Sequence, residues 1–171
     1  MEVKELLQRY ADGERNFFEI KIIDTNLREV NLSGANLRKA NFRGSNFSGA
    51  NLRGADLSEA NLRLALLHSA DLSGANLRNA NLRDTTFDYA HLEGIILESA
   101  DLRNASLSEA DLSHANLEGA NLRNAFLFSA GLFNANLKNA DLRGVNMMES
   151  VLKGANFERA NLDGAFYEGE I

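Results

Sequence analysis

The chain has 171 residues, a formal net charge of −6, and no cysteine, proline or tryptophan. This length fits one domain, and the lack of cysteine excludes disulfides and thiolate metal sites. The acidity argues against bulk binding of nucleic acid. No apolar run approaches the length of a membrane helix, and the charged opening "MEVKELLQRY" does not resemble a signal peptide, so we expect a cytoplasmic protein with no membrane partner.

The first predicted element is a short α-helix at residues 2–11. Its apolar residues follow helical spacing, and they are Val3, Leu6, Leu7 and Tyr10. Gly13 suits a helix stop. We expect this helix and the turn after it, residues 1–16, to cap the start of the structure that follows.

The rest of the chain repeats with a period of five residues, which fits neither a helix nor a strand with one buried face. From Phe17 to Tyr167, every fifth residue is apolar and is called here the central residue. A small residue, mostly Ala, lies two positions before it, and Asn or Asp mostly lies just before it. Because the small and central residues share one side of an extended segment, both point inward if the chain turns a corner after each unit.

The breaks in this pattern indicate how many units complete one coil. Five departures from Asn or Asp share one register at multiples of twenty residues: Leu66, Thr86, Ser106, Phe126 and Phe166. Arginine follows the central residue at unbroken steps of twenty from Arg43 to Arg143. We therefore predict twenty residues a coil, four faces, about seven and a half coils, and a shaft roughly 35 Å long at the spacing of paired backbones.

The unit A-[D/N]-L-x-x resembles the motif of the pentapeptide-repeat proteins over residues 17–167. The resemblance implies an all-β solenoid, a right-handed quadrilateral β-helix, with the short N-terminal α-helix as its cap. The opening "VKELLQRYADGERNFFEI" also looks like the lead-in of cyanobacterial members. Residues 168–171 are expected to be a C-terminal tail of this single domain.

At the C-terminal end the stretch "AFYEGEI" does not follow helical spacing, so we expect no second capping helix within this sequence. Phe166 and Tyr167 are candidates either for closing the end or for contacting a second copy. Some family members dimerise through this end, so the resemblance leaves a monomer and a homodimer open.

Two outward-facing groups of residues are candidate interaction sites. The arginine ladder is a candidate anion-facing stripe, with solubility as its simpler explanation, and it consists of Arg43, Arg63, Arg83, Arg103, Arg123 and Arg143. The apolar patch is a candidate partner site, because clustered exposed apolar residues mark interfaces, and it consists of Leu66, Phe126, Phe128, Phe133 and Met148.

Catalytic and metal chemistry have little support in the sequence. No phosphate loop, metal-binding spacing or nucleophile elbow occurs, and no insertion interrupts the repeat to build a cleft. His91 falls between Asp71 and Asp111 in neighbouring coils, and His68 falls below Asp88, so ion pairs are expected there. Three residues in one column are poor tetrahedral geometry for a metal. We expect no enzyme activity and no cofactor.

The sequence therefore favours a non-catalytic module, a rigid scaffold or regulator that binds an unidentified protein. The alternative implied by the resemblance is a DNA mimic that inhibits DNA gyrase or another topoisomerase. The overall acidity fits that alternative, but the arginine ladder does not. Direct binding of nucleic acid is not expected.

Overall fold

The computed structural model describes residues 1–169 and begins with one helix, α1 (Val3–Ala11). The helix starts one residue later than predicted, because Glu2 has extended backbone angles and serves as its N-cap residue. Leu6 is fully buried, and Val3 and Tyr10 pack partly buried against the same core. Among the described residues this is the only helix, and it is neither long nor apolar enough to cross a membrane.

The helix is tied to the repeats by polar contacts around Tyr10. The Tyr10 hydroxyl donates to the Ser33 carbonyl at 2.8 Å, and the guanidinium of Arg15 lies 3.8 Å from the centre of the Tyr10 ring. Arg9 forms a bidentate ion pair with Glu14, just after the helix, through hydrogen bonds of 2.6 and 2.7 Å. The predicted N-terminal helix is therefore present, and these contacts hold it against the first coils.

Stacked coils of twenty residues follow the helix. Parallel bridges join each Asn/Asp-column residue to the one twenty positions later, from the Asn16–Asn36 pair to the Asn146–Phe166 pair. A typical central residue, Leu102, donates its N–H to the Asn121 carbonyl at 2.8 Å, and the N–H of Asn121 donates to the Ala100 carbonyl at 2.9 Å. The predicted twenty-residue circuit is confirmed. Over residues 1–169 the pairing consists of single-residue bridges, with no extended strand.

Each unit ends in a tight turn, which gives each circuit four corners. In a typical turn the N–H of Ala105 donates to the Leu102 carbonyl at 3.0 Å, and Asn104 between them has a left-handed φ of 58°. A positive φ at the third residue is the signature of a type II turn. Gly and Asn are common at this position because they adopt that conformation most readily.

The core is a column of central residues enclosed by small ones. Leu and Ala of the middle coils are 0–1% exposed, and the fully buried phenylalanines are Phe17, Phe42, Phe47 and Phe87. Phe42 and Phe47 meet edge to face with 5.0 Å between ring centres. Thr85 replaces Ala in the small column, and its hydroxyl donates to the Leu62 carbonyl at 2.9 Å. A buried hydroxyl is thereby satisfied, as the energetics of burial require.

The side chains of the Asn/Asp column stabilise the backbone of each coil on its outer side. The side-chain oxygen accepts the N–H two residues later, as Asn121 does from Arg123 at 3.2 Å. This Asx-type bond fixes the backbone just before the turn. Side chains immediately before and after a central residue flank it and point outward, so each face presents pairs of positions to solvent.

Candidate functional site

The arginine ladder lies along one face, and most of its charge is neutralised locally. Arg103 holds Asp101 with two hydrogen bonds of 2.6 and 2.8 Å, and Arg143 holds Asp141 with the same geometry. Hydrogen bonding to Arg103 holds the pKa of Asp101 below its usual value. Arg63 lies 3.3 Å from Asp84.

Two of the six arginines, Arg83 and Arg123, form no salt bridge with the described residues 1–169. The Nε of Arg83 is buried without a hydrogen-bond partner there. A hydrogen bond from Asn104 lowers the pKa of Asp84, and the charges of Arg63 and Arg83 lower it further. The ladder is therefore a stripe of alternating charge.

The centre of the apolar patch is a pair of phenylalanines on one face. Phe126 and Phe128 flank the buried Leu127 and are 52% and 40% exposed. Met148 lies one coil after Phe128 and is half-buried. The N–H of Ser129, next to Phe128, donates to the Met148 carbonyl at 3.0 Å. These three apolar side chains lie on neighbouring coils of one face.

Leu66 and Phe133 lie outside this centre. Leu66 occupies the same column as Phe126, but Thr86 and Ser106 lie between them, so three coil steps separate the two, about 14 Å at the usual spacing. Phe133 lies on the adjoining face, with its ring edge on against His114 at 5.6 Å between centres. The five predicted patch residues therefore form a centre of three and two outliers.

The histidines make no metal site. The backbone of His91 forms parallel bridges with Asp71 and Asp111 in the coils on either side, beside a polar depression of about 250 Å³. Within residues 1–169 the His91 side chain forms no salt bridge, so the predicted ion pair is absent there. Burial raises the pKa of Asp71, but hydrogen bonds from Ser73 and Arg53 outweigh it, and the net shift is downward. Over residues 1–169, no three His, Asp or Glu side chains are placed to hold a metal ion.

The predicted ion pair between His68 and Asp88 is wrong. The His68 ring packs edge to face on Tyr89, with 5.2 Å between centres. Asp88 accepts from the hydroxyl of Ser106 and from the N–H of Ser108 at 3.1 Å. Because Ser106 lacks the amide or carboxylate oxygen of the Asn/Asp column, Asp88 supplies that acceptor from the coil before.

The two aromatic residues near the C-terminal end are exposed. Phe166, in the column of Phe126, is 62% exposed, and Tyr167, at a central position, is 37% exposed. The central residues Leu152, Phe157 and Leu162 are only partly buried. Residues 170 and 171 of the predicted tail lie outside the described residues.

The sequence did not predict that carboxylates lie among the exposed aromatic side chains. The N–H of Glu109 donates to the Phe128 carbonyl at 2.9 Å, and the Glu109 carboxylate accepts from the Tyr89 hydroxyl at 2.8 Å. This hydrogen bond raises the pKa of Tyr89. Comparing charges down each twenty-residue column would have found them.

A family model agrees with the geometry of the fold. The model of pentapeptide repeats matches with eight copies, over residues 25–63, 45–84, 60–98, 85–124 and 130–166. These matches cover well over half of the chain. Among curated proteins, none matches significantly.

Solved structures of the same kind are similar to the chain. A pentapeptide repeat protein from the thylakoid lumen of Arabidopsis thaliana is 31% identical, over 58% of this chain and 70% of that one, with a TM-score of 0.57. HetL, involved in heterocyst differentiation regulation in Nostoc sp. PCC 7120, is 32% identical over 96% of both chains, with a TM-score of 0.34.

A more distant similarity bears on the fold alone. QnrB1, a plasmid-mediated fluoroquinolone resistance protein, is 17% identical over 88% of this chain and 92% of that one, with a TM-score of 0.60. The repeat motif, the twenty-residue circuit and the family match agree, and the family match implies that the β-helix is right-handed. The chain belongs to the pentapeptide-repeat family.

Proposed function

We propose that this protein is a non-catalytic interaction module, a rigid four-sided shaft of about seven and a half coils that presents one face to another protein. The observation that carries the proposal is the exposure of Phe126 and Phe128, at 52% and 40%, at two positions of one unit where most other units have polar residues. Exposed aromatic side chains on one face are typical anchors of protein interfaces.

The rigidity of the shaft supports this function. Backbone hydrogen bonds of 2.7–3.0 Å join Phe126, Leu127 and Ser129 to neighbouring coils, so the backbone that carries the aromatic pair is held on both sides. A partner would meet a preformed surface and would lose little conformational freedom of this chain on binding.

The DNA-mimic alternative is not favoured. A mimic of duplex DNA needs a continuous negative surface, whereas the arginine ladder runs along one whole face between carboxylates. A gyrase supercoiling assay tests this alternative, and inhibition at equimolar protein would support it against the interaction module.

The test compares two double variants that remove similarly exposed apolar side chains. Phe126→Ser with Phe128→Ser removes the pair, and Phe18→Ser with Leu64→Ser removes residues that are 44% and 45% exposed on other faces. In affinity capture from the native cell with quantitative mass spectrometry, we expect a protein retained by the control and lost with the first variant. Equal retention by both variants would contradict the proposal.

We also propose that Phe166 and Tyr167 contact a second copy of the chain. Their exposure, and the partial exposure of the central residues of the last units, supports a contact at this end. Light scattering on Phe166→Ser with Tyr167→Ser should then give a monomer where the parent chain gives a dimer. A monomeric parent chain would refute this contact.

A further inference from the structure

The face that carries Phe126 and Phe128 has an unusual charge pattern. From residue 45 onward, none of its units contains lysine or arginine, and these units are residues 45–49, 65–69, 85–89, 105–109, 125–129, 145–149 and 165–169. They contain four carboxylates, which are Asp88, Glu109, Glu149 and Glu168. We call these seven units the acidic–aromatic face.

The four carboxylates differ from those of the neighbouring face in their ionic partners. None of them forms a salt bridge within the described part of the chain, residues 1–169. Carboxylates on the arginine-ladder face behave differently, since Asp84, Asp101 and Asp141 each pair with an arginine. Negative charge therefore stays without arginine or lysine partners on one face and is mostly paired with arginine on the next.

The free carboxylates lie close to the exposed aromatic rings. Glu109 is hydrogen-bonded through its backbone to Phe128 and through its carboxylate to Tyr89. Glu149 directly follows Met148 and accepts from the Ser129 hydroxyl at 3.2 Å. Glu109 and Glu149 thus lie two coils apart along one edge of the aromatic centre, with Ser129 in the coil between them, and both are exposed.

We propose that the acidic–aromatic face binds a basic protein segment, one in which lysine or arginine side chains alternate with apolar anchors. This rests on the proposed function and adds the chemistry of the partner. Apolar side chains of the segment cover Phe126 and Phe128, and its cations pair with Glu109 and Glu149. Cations also bind favourably over aromatic faces, so the two kinds of contact reinforce each other.

Charge complementarity excludes two other occupants. A nucleic acid would bring phosphates against four carboxylates that have no compensating cation. The arginine ladder of a second copy offers little free charge, because four of its guanidinium groups already contact carboxylates of their own chain. A basic segment from another protein fits both the charge and the exposed rings.

The test uses a labelled synthetic peptide of repeated Arg-Leu-Arg-Ser units and measures its binding by fluorescence anisotropy. Glu109→Gln with Glu149→Gln removes two charges beside the aromatic centre and keeps the hydrogen-bond acceptors. The matched control, Glu93→Gln with Glu118→Gln, removes two other carboxylates that form no salt bridge within residues 1–169.

We expect the first pair of substitutions to weaken peptide binding about fivefold, which is the scale of two exposed ion pairs, and the control pair to change it less than twofold. Phe126→Ser with Phe128→Ser should weaken binding at least about tenfold, as loss of an anchor does. The loss from the charge variant should shrink at high salt because of screening.

The inference is overturned if the two pairs of glutamate substitutions weaken peptide binding equally, or if a peptide with glutamine in place of arginine binds equally well. It is also overturned if a second copy of the chain occupies this face and the peptide displaces that copy. If cellular capture depends on Phe126 and Phe128 while the glutamate substitutions have no effect, the interaction module stands and only the basic partner is refuted. If capture ignores the phenylalanines, the proposed function itself fails.

Discussion

The position of a leucine along the shaft should determine how much its truncation destabilises the protein. Leu102 is a middle central residue with no exposed surface, and Leu82 and Leu122 in the coils on either side are equally buried. Leu162, near the C-terminal end, has the same place in its unit but is only partly buried. The two residues therefore form a matched pair for leucine-to-alanine substitution.

The expected magnitudes follow from burial. Leu102→Ala removes three buried carbon groups, about 2.4 kcal/mol of transfer free energy at roughly 0.8 kcal/mol each, and leaves a cavity, for a total of about 3–4 kcal/mol. Leu162→Ala loses about half of the transfer term and encloses no cavity, so we expect about 1–1.5 kcal/mol. A charged residue at position 102 should prevent folding of the middle coils.

Urea unfolding followed by circular dichroism measures both free energies, with the slope as a check on cooperativity. A difference of about 2 kcal/mol between the variants supports a core held by stacking on both sides. Equal losses, within about 0.5 kcal/mol, would refute the reasoning, because burial by adjacent coils would then not be what stabilises a unit.

Two further predictions concern acid stability and the Asn/Asp column. Hydrogen bonding to Arg103 lowers the pKa of Asp101 below its usual 3.8. The ionised Asp101 therefore stabilises the folded state fully above pH 3.8, and this stabilisation is lost as the pH falls through the lowered pKa of the folded state. In urea midpoints measured between neutral and acid pH, Asp101→Asn should lose less stability than the parent, and an unchanged acid loss would contradict this. Leu66 leaves the N–H of His68 without the acceptor that Asn supplies elsewhere in the column, so Leu66→Asn should be more stable than Leu66→Ala by about 0.5–1.5 kcal/mol. Equal unfolding midpoints of these two variants would show that the Asx-type bond does not stabilise the coil.

The fold was readable from the sequence because its rule is local and repeated. An apolar residue every fifth position requires a turn in every unit, and the departures at steps of twenty identify which units lie above one another. The function of the Asn/Asp column was not readable in the same way. Its oxygen accepts the N–H two residues later, and that bond depends on the backbone angles of the turn.

The candidate sites were only partly predictable, because side chains choose between several partners at similar distance. Arg103 pairs with Asp101 in its own unit, whereas Arg63 reaches Asp84 in the next coil. His68 packs on Tyr89 although Asp88 occupies the position directly above it in its column. Such choices depend on rotamers and on competing donors, and no spacing rule in the sequence encodes them.

The sequence by itself determined the period, the inward column of leucines and the length of one circuit, since each follows from which residues avoid water and how often they recur. Only the tertiary structure decided which carboxylates are neutralised and which remain free beside Phe128, and how exposed each outward aromatic ring is. Those properties arise between coils, from residues twenty positions apart whose side chains become neighbours only after the chain has closed each circuit.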